Sequence, residues 1–255
     1  MVAVLAAACP AGAATVIFQD GFETYAASSS WPSSSDTDPG TSPVGDGWLP
    51  AEPTFDNVQV LSTTQNLSAG PHSGSNFLQV YGTNSSATMF ITAADQTLVQ
   101  QNKNATLDMW VYKNLADGWN GLEQIAGFDG SSTSFQLYLR QNGQLQYFDG
   151  ALKETGLTFA SDSWMHLTVA ADFANHTFDL TLDGQPTVTG LRFANSAASK
   201  VSHVVMFGQA DVDVNCRAAY DDITMTVNDV PEPGTLMLLT CGLSGLLAYA
   251  WRKRK

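Results

Sequence analysis

The sequence predicts an all-β body, an antiparallel jelly-roll β-sandwich, and three observations carry that expectation. Apolar residues recur with period two: Leu107, Met109 and Val111 alternate with Thr106, Asp108 and Trp110, and Phe135, Leu137 and Leu139 with Gln136, Tyr138 and Arg140, as in a sheet with one buried face. Asn142-Gly143 and Asp183-Gly184 fall at hairpin spacing, where tight turns need positive φ. Of 24 acidic residues only Glu23, Glu52, Glu123, Glu154 and Glu232 are glutamate, so turn-favouring aspartate dominates over the acid that favours helix.

Taken in order, strands are expected at 16–18, 58–61, 77–81, 88–92, around 107–111, and at 124–128, 135–141, 144–148, 164–170, 178–182, 201–208 and 219–227. Residues 28–47, rich in Ser, Pro, Asp and Gly, read as a long surface loop after the first strand. Only 93–103 reads as helix, for about two turns. No internal repeat is visible, and the body from 15 to 229 is long enough for one large sandwich core. An immunoglobulin-like sandwich is the alternative, but such domains are usually about half this length.

Eleven basic residues face 24 acidic ones for a net charge of −13, and four of the eleven close the chain. That balance argues against nucleic acid as a partner. Of three cysteines, Cys9 falls in the leading apolar segment and Cys241 in the trailing one, so Cys216 stands alone in the body and no disulfide is expected there.

Both ends carry processing signals. Residues 2–8 form a small apolar run followed by Ala11-Gly12-Ala13-Ala14, the pattern of a signal peptide over 1–14; its basic leading segment is missing, as expected where translation starts further upstream. At the other end stand Pro231-Glu232-Pro233, an uncharged apolar run over 235–251 and Arg252-Lys253-Arg254-Lys255. As a helix that run spans about 25 Å, the short end of what a bilayer requires. The cations behind it resist translocation, which places them in the cytoplasm and the body outside.

This order of Pro-Glu-Pro, apolar span and basic cluster resembles the PEP-CTERM sorting signal of Gram-negative bacteria with exopolysaccharide-rich envelopes. The resemblance covers the sorting signal over 230–255 and implies an exosortase, a membrane protease-transpeptidase that recognises Pro231, Glu232 and Pro233 and removes the span over 235–251. The flanking prolines suit that role, because they hold the segment extended and out of helix.

Ser163-Trp164-Met165-His166-Leu167-Thr168-Val169, followed by Phe178-Asp179-Leu180-Thr181-Leu182-Asp183-Gly184, resembles the laminin-G/concanavalin-like jelly rolls. Phe18-Gln19-Asp20-Gly21-Phe22-Glu23 near the start and Tyr220-Asp221-Asp222-Ile223 near the end look like the first and last strands of calcium-containing carbohydrate-binding jelly rolls. That resemblance implies a structural Ca²⁺ held by Asp20, Glu23 and one of Asp221 or Asp222, a hard cation taking six to eight oxygens. Asp211-Val212-Asp213-Val214-Asn215 also opens like a calcium loop, but Cys216 stands where glycine is required and the alternating valines read as a strand edge.

Catalytic constellations are absent from the sequence pattern. A glycoside hydrolase needs two carboxylates roughly 5 to 10 Å apart across a cleft. Concanavalin-like glucanases carry Glu-x-Asp-x-x-Glu, whereas Glu123 to Asp129 has the wrong spacing and no second Glu. His72, His166, His176 and His203 show no metal spacing, and no serine sits in G-x-S-x-G. Trp31, Trp48, Trp119 and Tyr147 are candidate sugar-stacking aromatics, with Trp119 in the turn-like Asp117-Gly118-Trp119-Asn120-Gly121 the leading one; Trp110 and Trp164 read as structural.

The expected function is therefore that of an exported, non-catalytic jelly roll at the cell surface or in the extracellular matrix, contacting polysaccharide. The alternatives are a divergent polysaccharide hydrolase or lyase and a purely structural coat or adhesion protein, since one fold hosts all three.

Overall fold

The period-two runs become the central strands of two antiparallel sheets. The computed structural model describes residues 14–25, 47–50, 58–62, 70–81, 85–113, 122–209 and 217–228, with single residues at 244, 251 and 253. Sheet I runs β13 (Val188–Arg192), β12 (Thr177–Leu182), β11 (Ser163–Asp172), β6 (Asn104–Lys113), β15 (Arg217–Asn228), β4 (Phe77–Tyr81) and β3 (Val58–Leu61), and β1 (Ala14–Asp20) also pairs with β15. Sheet II runs β10 (Leu152–Thr158), β9 (Gln144–Phe148), β8 (Ser132–Leu139), β7 (Leu122–Asp129), β14 (His203–Gln209), β5 (Ser85–Phe90) and β2 (Gly47–Pro50).

The chain changes sheet from β1 to β2, β2 to β3, β4 to β5, β5 to β6, β6 to β7 and β10 to β11, and twice more across β13, β14 and β15. Paired strands wound in this way across two sheets make a jelly roll. Alternate residues interleave between the sheets: Leu107, Met109, Val111, Leu167 and Val169 from sheet I meet Met89, Ile125, Phe135, Leu137, Val204 and Met206 from sheet II in one buried cluster. A smaller cluster of Leu61, Phe77, Tyr112 and Ala219, with Trp164 against it, lies outside this core.

Three strands escape the sequence pattern. β10 and β13 are edge strands exposed along most of their length, so no apolar alternation marks them. β2 begins at the last residue of the expected surface loop. β5 starts three residues earlier than the expected 88–92. Helix α1 (Ala93–Asn102) is capped as a short helix requires: Thr92 Oγ1 accepts from Asp95 N at 3.1 Å and donates to the Asp95 carboxylate at 2.7 Å. In the β8–β9 turn Gly143 takes φ 77° and its N–H bonds Arg140 O at 3.0 Å, a left-handed position that closes the hairpin.

Thr15–Val227 forms one compact unit. Residues 1–13, residues 114–121 with Trp119, Pro231, Glu232 and Pro233, and all of the 235–251 run but 244 and 251 lie outside the described residues. Among the described residues no helix is long and apolar enough to cross a membrane.

Where β6 leaves sheet I and β7 enters sheet II, Lys113 and Glu123 face each other at 3.9 Å, 2% and 0% exposed. Each buried ion costs several kcal/mol in lost hydration, which a charged partner together with hydrogen bonds offsets. Lys113→Met should therefore destabilise the body by about 3–5 kcal/mol, while Lys113→Met with Glu123→Leu should recover much of that loss. Urea unfolding of the two variants checks this, and equal destabilisation by both would show that the pair is not coupled.

Candidate functional site

Of the acidic residues singled out by the sequence, Glu23, Asp221 and Asp222 converge on the loop 70–76, while Asp20 holds the turn that carries Glu23. Strand β1 lies beside β15, and β15 carries a bulge: Asp221 pairs with Trp110 but Thr224 pairs with Asp108, leaving one extra residue. Asp222 takes φ 48° there, uncommon for a residue other than glycine but tolerated by aspartate. The bulge directs two consecutive carboxylates toward one loop.

Asp221 is fully buried. Its Oδ2 accepts from the N–H groups of His72 and Ser73 at 2.9 and 3.1 Å, and its Oδ1 from that of Asp222 at 2.8 Å. The Asp222 carboxylate pairs with His72 Nδ1 at 2.8 Å and accepts from Ser73 Oγ at 2.7 Å. From the other side Glu23 Oε1 accepts from Ser75 N and Asn76 N at 2.8 and 2.9 Å. The Asn76 amide donates to the carbonyls of Phe22 and Tyr25, and Asp20 accepts from Phe22 N at 2.7 Å and Tyr25 Oη at 3.0 Å. Gly74, at φ 56°, is required because a Cβ there would collide with the Glu23 carboxylate.

Aromatic contacts seat the same loop on sheet I. The His72 ring stacks on Trp110 with centroids 3.7 Å apart, and His166 of the neighbouring strand also stacks on Trp110, at 5.0 Å. Asp108 orients His166 through Nε2 at 2.7 Å and accepts from Thr168 Oγ1 at 2.8 Å. Trp164 donates its indole N–H to Gly70 O at 3.0 Å while its ring meets Phe77 and Tyr112 edge-on. Trp110 and Trp164 thus anchor the loop, in keeping with a structural role.

Burial pushes the Asp221 carboxyl up to about 6, with the Asp222 charge adding to the rise and the N–H groups of Ser73, Asp222 and His72 opposing it. Asp20, Glu23, Asp221 and Asp222 do gather, yet their oxygens named above already serve N–H and O–H donors. Among the described residues no group of three His, Cys, Asp or Glu is arranged to hold a metal ion. In this arrangement the corner fits a cation poorly, because a Ca²⁺ shell would require some of these oxygens to release their donors.

His72, Ser73, Ser75 and Asn76 were the partners that sequence reasoning missed. The signal available was a polar run around one glycine, which also describes an ordinary turn.

The two acids nearest to a glucanase strand are separated in role as well as in spacing. Glu123 is buried against Lys113, and Asp129 accepts from the N–H and Oγ of Ser199 at 2.9 and 3.0 Å. His203 stacks between Phe90 and Phe128 at 5.4 and 4.9 Å, where burial pushes its imidazole below the ordinary value.

With this geometry in view, residues 229–255 match the PEP-CTERM protein-sorting motif. The tail is therefore a sorting signal, which implies an exported, envelope-associated protein processed by an exosortase-type enzyme. Comparison with curated proteins finds no match to the sequence. Among solved structures, the body is similar to a sialidase at 13% identity and TM-score 0.48, over 67% of this chain and 17% of that one. It is similar to the Trypanosoma rangeli sialidase in complex with 2,3-difluorosialic acid at 17% identity and TM-score 0.48, over 74% and 31%. It is also similar to the botulinum neurotoxin serotype G binding domain at 10% identity and TM-score 0.47, over 74% and 45%. The chain spans less than half the length of each, and likeness at this level says nothing about activity or ligand.

The raised Asp221 value fixes a sign. Its folded-state pKa of about 6 lies above the ordinary 3.8, so the fold favours the protonated form. This group's contribution to stability therefore rises as pH falls from about 6 to about 4, and is lost on the way back up. The ¹³C shift of the Asp221 carboxyl, followed by NMR, should turn over near pH 6; a midpoint near 4 would contradict the burial argument.

Proposed function

We propose that this is an exported matrix or cell-surface protein whose jelly roll is a non-catalytic module that contacts carbohydrate, delivered by its C-terminal sorting signal. The observation that carries the reading is the sorting tail behind a sandwich whose acids act as acceptors: Glu23, Asp221 and Asp222 fasten the 70–76 loop, and Asp20 fastens the turn beside it. Acids committed to backbone N–H groups are poorly placed to serve as proton donors and nucleophiles. The signal peptide at 1–14 starts export, the 235–251 run holds the chain in the membrane with the basic end in the cytoplasm, and the exosortase-type enzyme then releases the body outside.

Mass spectrometry of the mature protein from the envelope fraction tests this directly. The C-terminus is expected near Pro231-Glu232-Pro233, without 235–251. Retention of the apolar run would overturn sorting and leave a permanent anchor.

A further inference from the structure

One cross-strand row on the outer face of sheet II carries chemistry that the fold does not use. The registers align Ser86 with Phe207, Phe207 with Gln124, Gln124 with Tyr138, Tyr138 with Gln146 and Gln146 with Glu154. The strand neighbours Ala87, Met206, Ile125, Leu137 and Leu145 belong to the core, so the row faces away from it. At about 4.8 Å between strands, the five positions from Phe207 to Glu154 extend for roughly 19 Å, and Ser86 at the end of the row is buried.

The row alternates flat rings with amides. Gln136, on the same face, donates to Tyr138 Oη at 2.6 Å, and Gln146 Nε2 donates to Glu154 at 2.6 Å. Gln146 Oε1 is shielded from solvent and accepts no hydrogen bond, an acceptor that normally finds a donor. Partial burial raises the Tyr138 phenol, which keeps it a protonated donor at neutral pH.

Charge is what sets this face apart. The chain carries a net −13, and the outer face of sheet I bears Asp108, Asp221 and Asp222; the row on sheet II holds one charge, Glu154, on the edge strand. His203, between Phe90 and Phe128, stays neutral. Such a face selects an uncharged partner. Amides that both donate and accept suit hydroxyl groups, and the half-buried rings of Tyr138 and Phe207 suit the C–H faces of pyranoses.

A repeat of one functional side chain per strand suits a polymer lying across the strands. A partner β-strand would instead pair along the edges β10 or β2.

We propose that the outer face of sheet II binds an extended, uncharged polysaccharide across its strands, along Phe207, Gln124, Tyr138, Gln146 and Glu154. The proposal rests on the carbohydrate-contacting reading above and assigns it a site and a ligand class. Tyr138 and Phe207 supply stacking surface, and Gln124 supplies a paired donor and acceptor.

Affinity electrophoresis of the full chain in gels containing uncharged polymers (mixed-linkage β-glucan, xylan, galactomannan) or acidic ones (alginate, polygalacturonate) tests it. At least one uncharged polymer should retard the protein and the acidic ones should not. Tyr138→Ala and Gln124→Ala, with melting temperatures checked, should weaken retardation by about tenfold or more, the scale of one lost stacking or hydrogen-bonding contact. Tyr138→Phe should weaken it less, and Thr106→Val on the opposite sheet should leave it unchanged. Retardation undiminished in both alanine variants would overturn this face while the carbohydrate reading stands. Retardation by acidic polymers alone would overturn the ligand class, and none by any polymer would overturn both.

Discussion

The buried Asp221 carboxylate is the interaction on which the organisation of sheet I depends. It accepts the N–H groups of His72, Ser73 and Asp222, so one side chain fixes both the long loop before β4 and the bulge in β15 that presents it. Without this acceptor three backbone donors would lie in a site closed to water, each at a cost of roughly 1–3 kcal/mol. A charged acceptor is stronger than a neutral one, which explains a carboxylate in a place where burial raises its pKa. The left-handed conformations of Phe22 (φ 60°) and Asp222 (φ 48°) lie in the same corner. Strain of this kind persists where surrounding bonds determine the backbone, and here Asp20 on Phe22 N and Asp221 on Asp222 N supply them.

How much of this could be read in the sequence follows from which forces leave a periodic mark. Strands with one buried face, such as β6, β8, β11 and β12, show alternation and are found within two or three residues of their bounds. β10 and β13 bury little and leave no such mark. The acids at the two ends were legible as a group because first and last strands pair, but their partners were not. His72 engages Asp221 and Asp222 across gaps of 149 and 150 residues, Ser73 engages Asp221 across 148 and Asn76 engages Phe22 across 54, and no local pattern encodes a loop that docks by its own backbone. Trp110 shows the same limit, since alternation places it on the outer face but does not say that His72 will stack on it.

The two outer faces are chemically opposed. On sheet I the carboxylates of Asp108, Asp221 and Asp222 hold imidazoles and a loop against tryptophan, so its polar groups are spent internally. On sheet II the corresponding positions are amides and rings, with Gln146 Oε1 left without a donor. A protein with so strong a net charge would repel acidic polymers from most of its surface. A neutral strip across one sheet is where such a body can approach a glycan without that penalty.

This asymmetry also bears on how the tail and the body divide their work. The sorting signal at 229–255 determines where the body is delivered, and nothing in that role requires a particular face on the sandwich. Folding alone would be served equally well by charged residues at the outward positions of β7, β8 and β9, as on most solvated strands. Gln124, Tyr138 and Gln146 occupy those positions instead, in register across three strands. A row that neither the core nor the address demands is best explained by what the delivered protein touches.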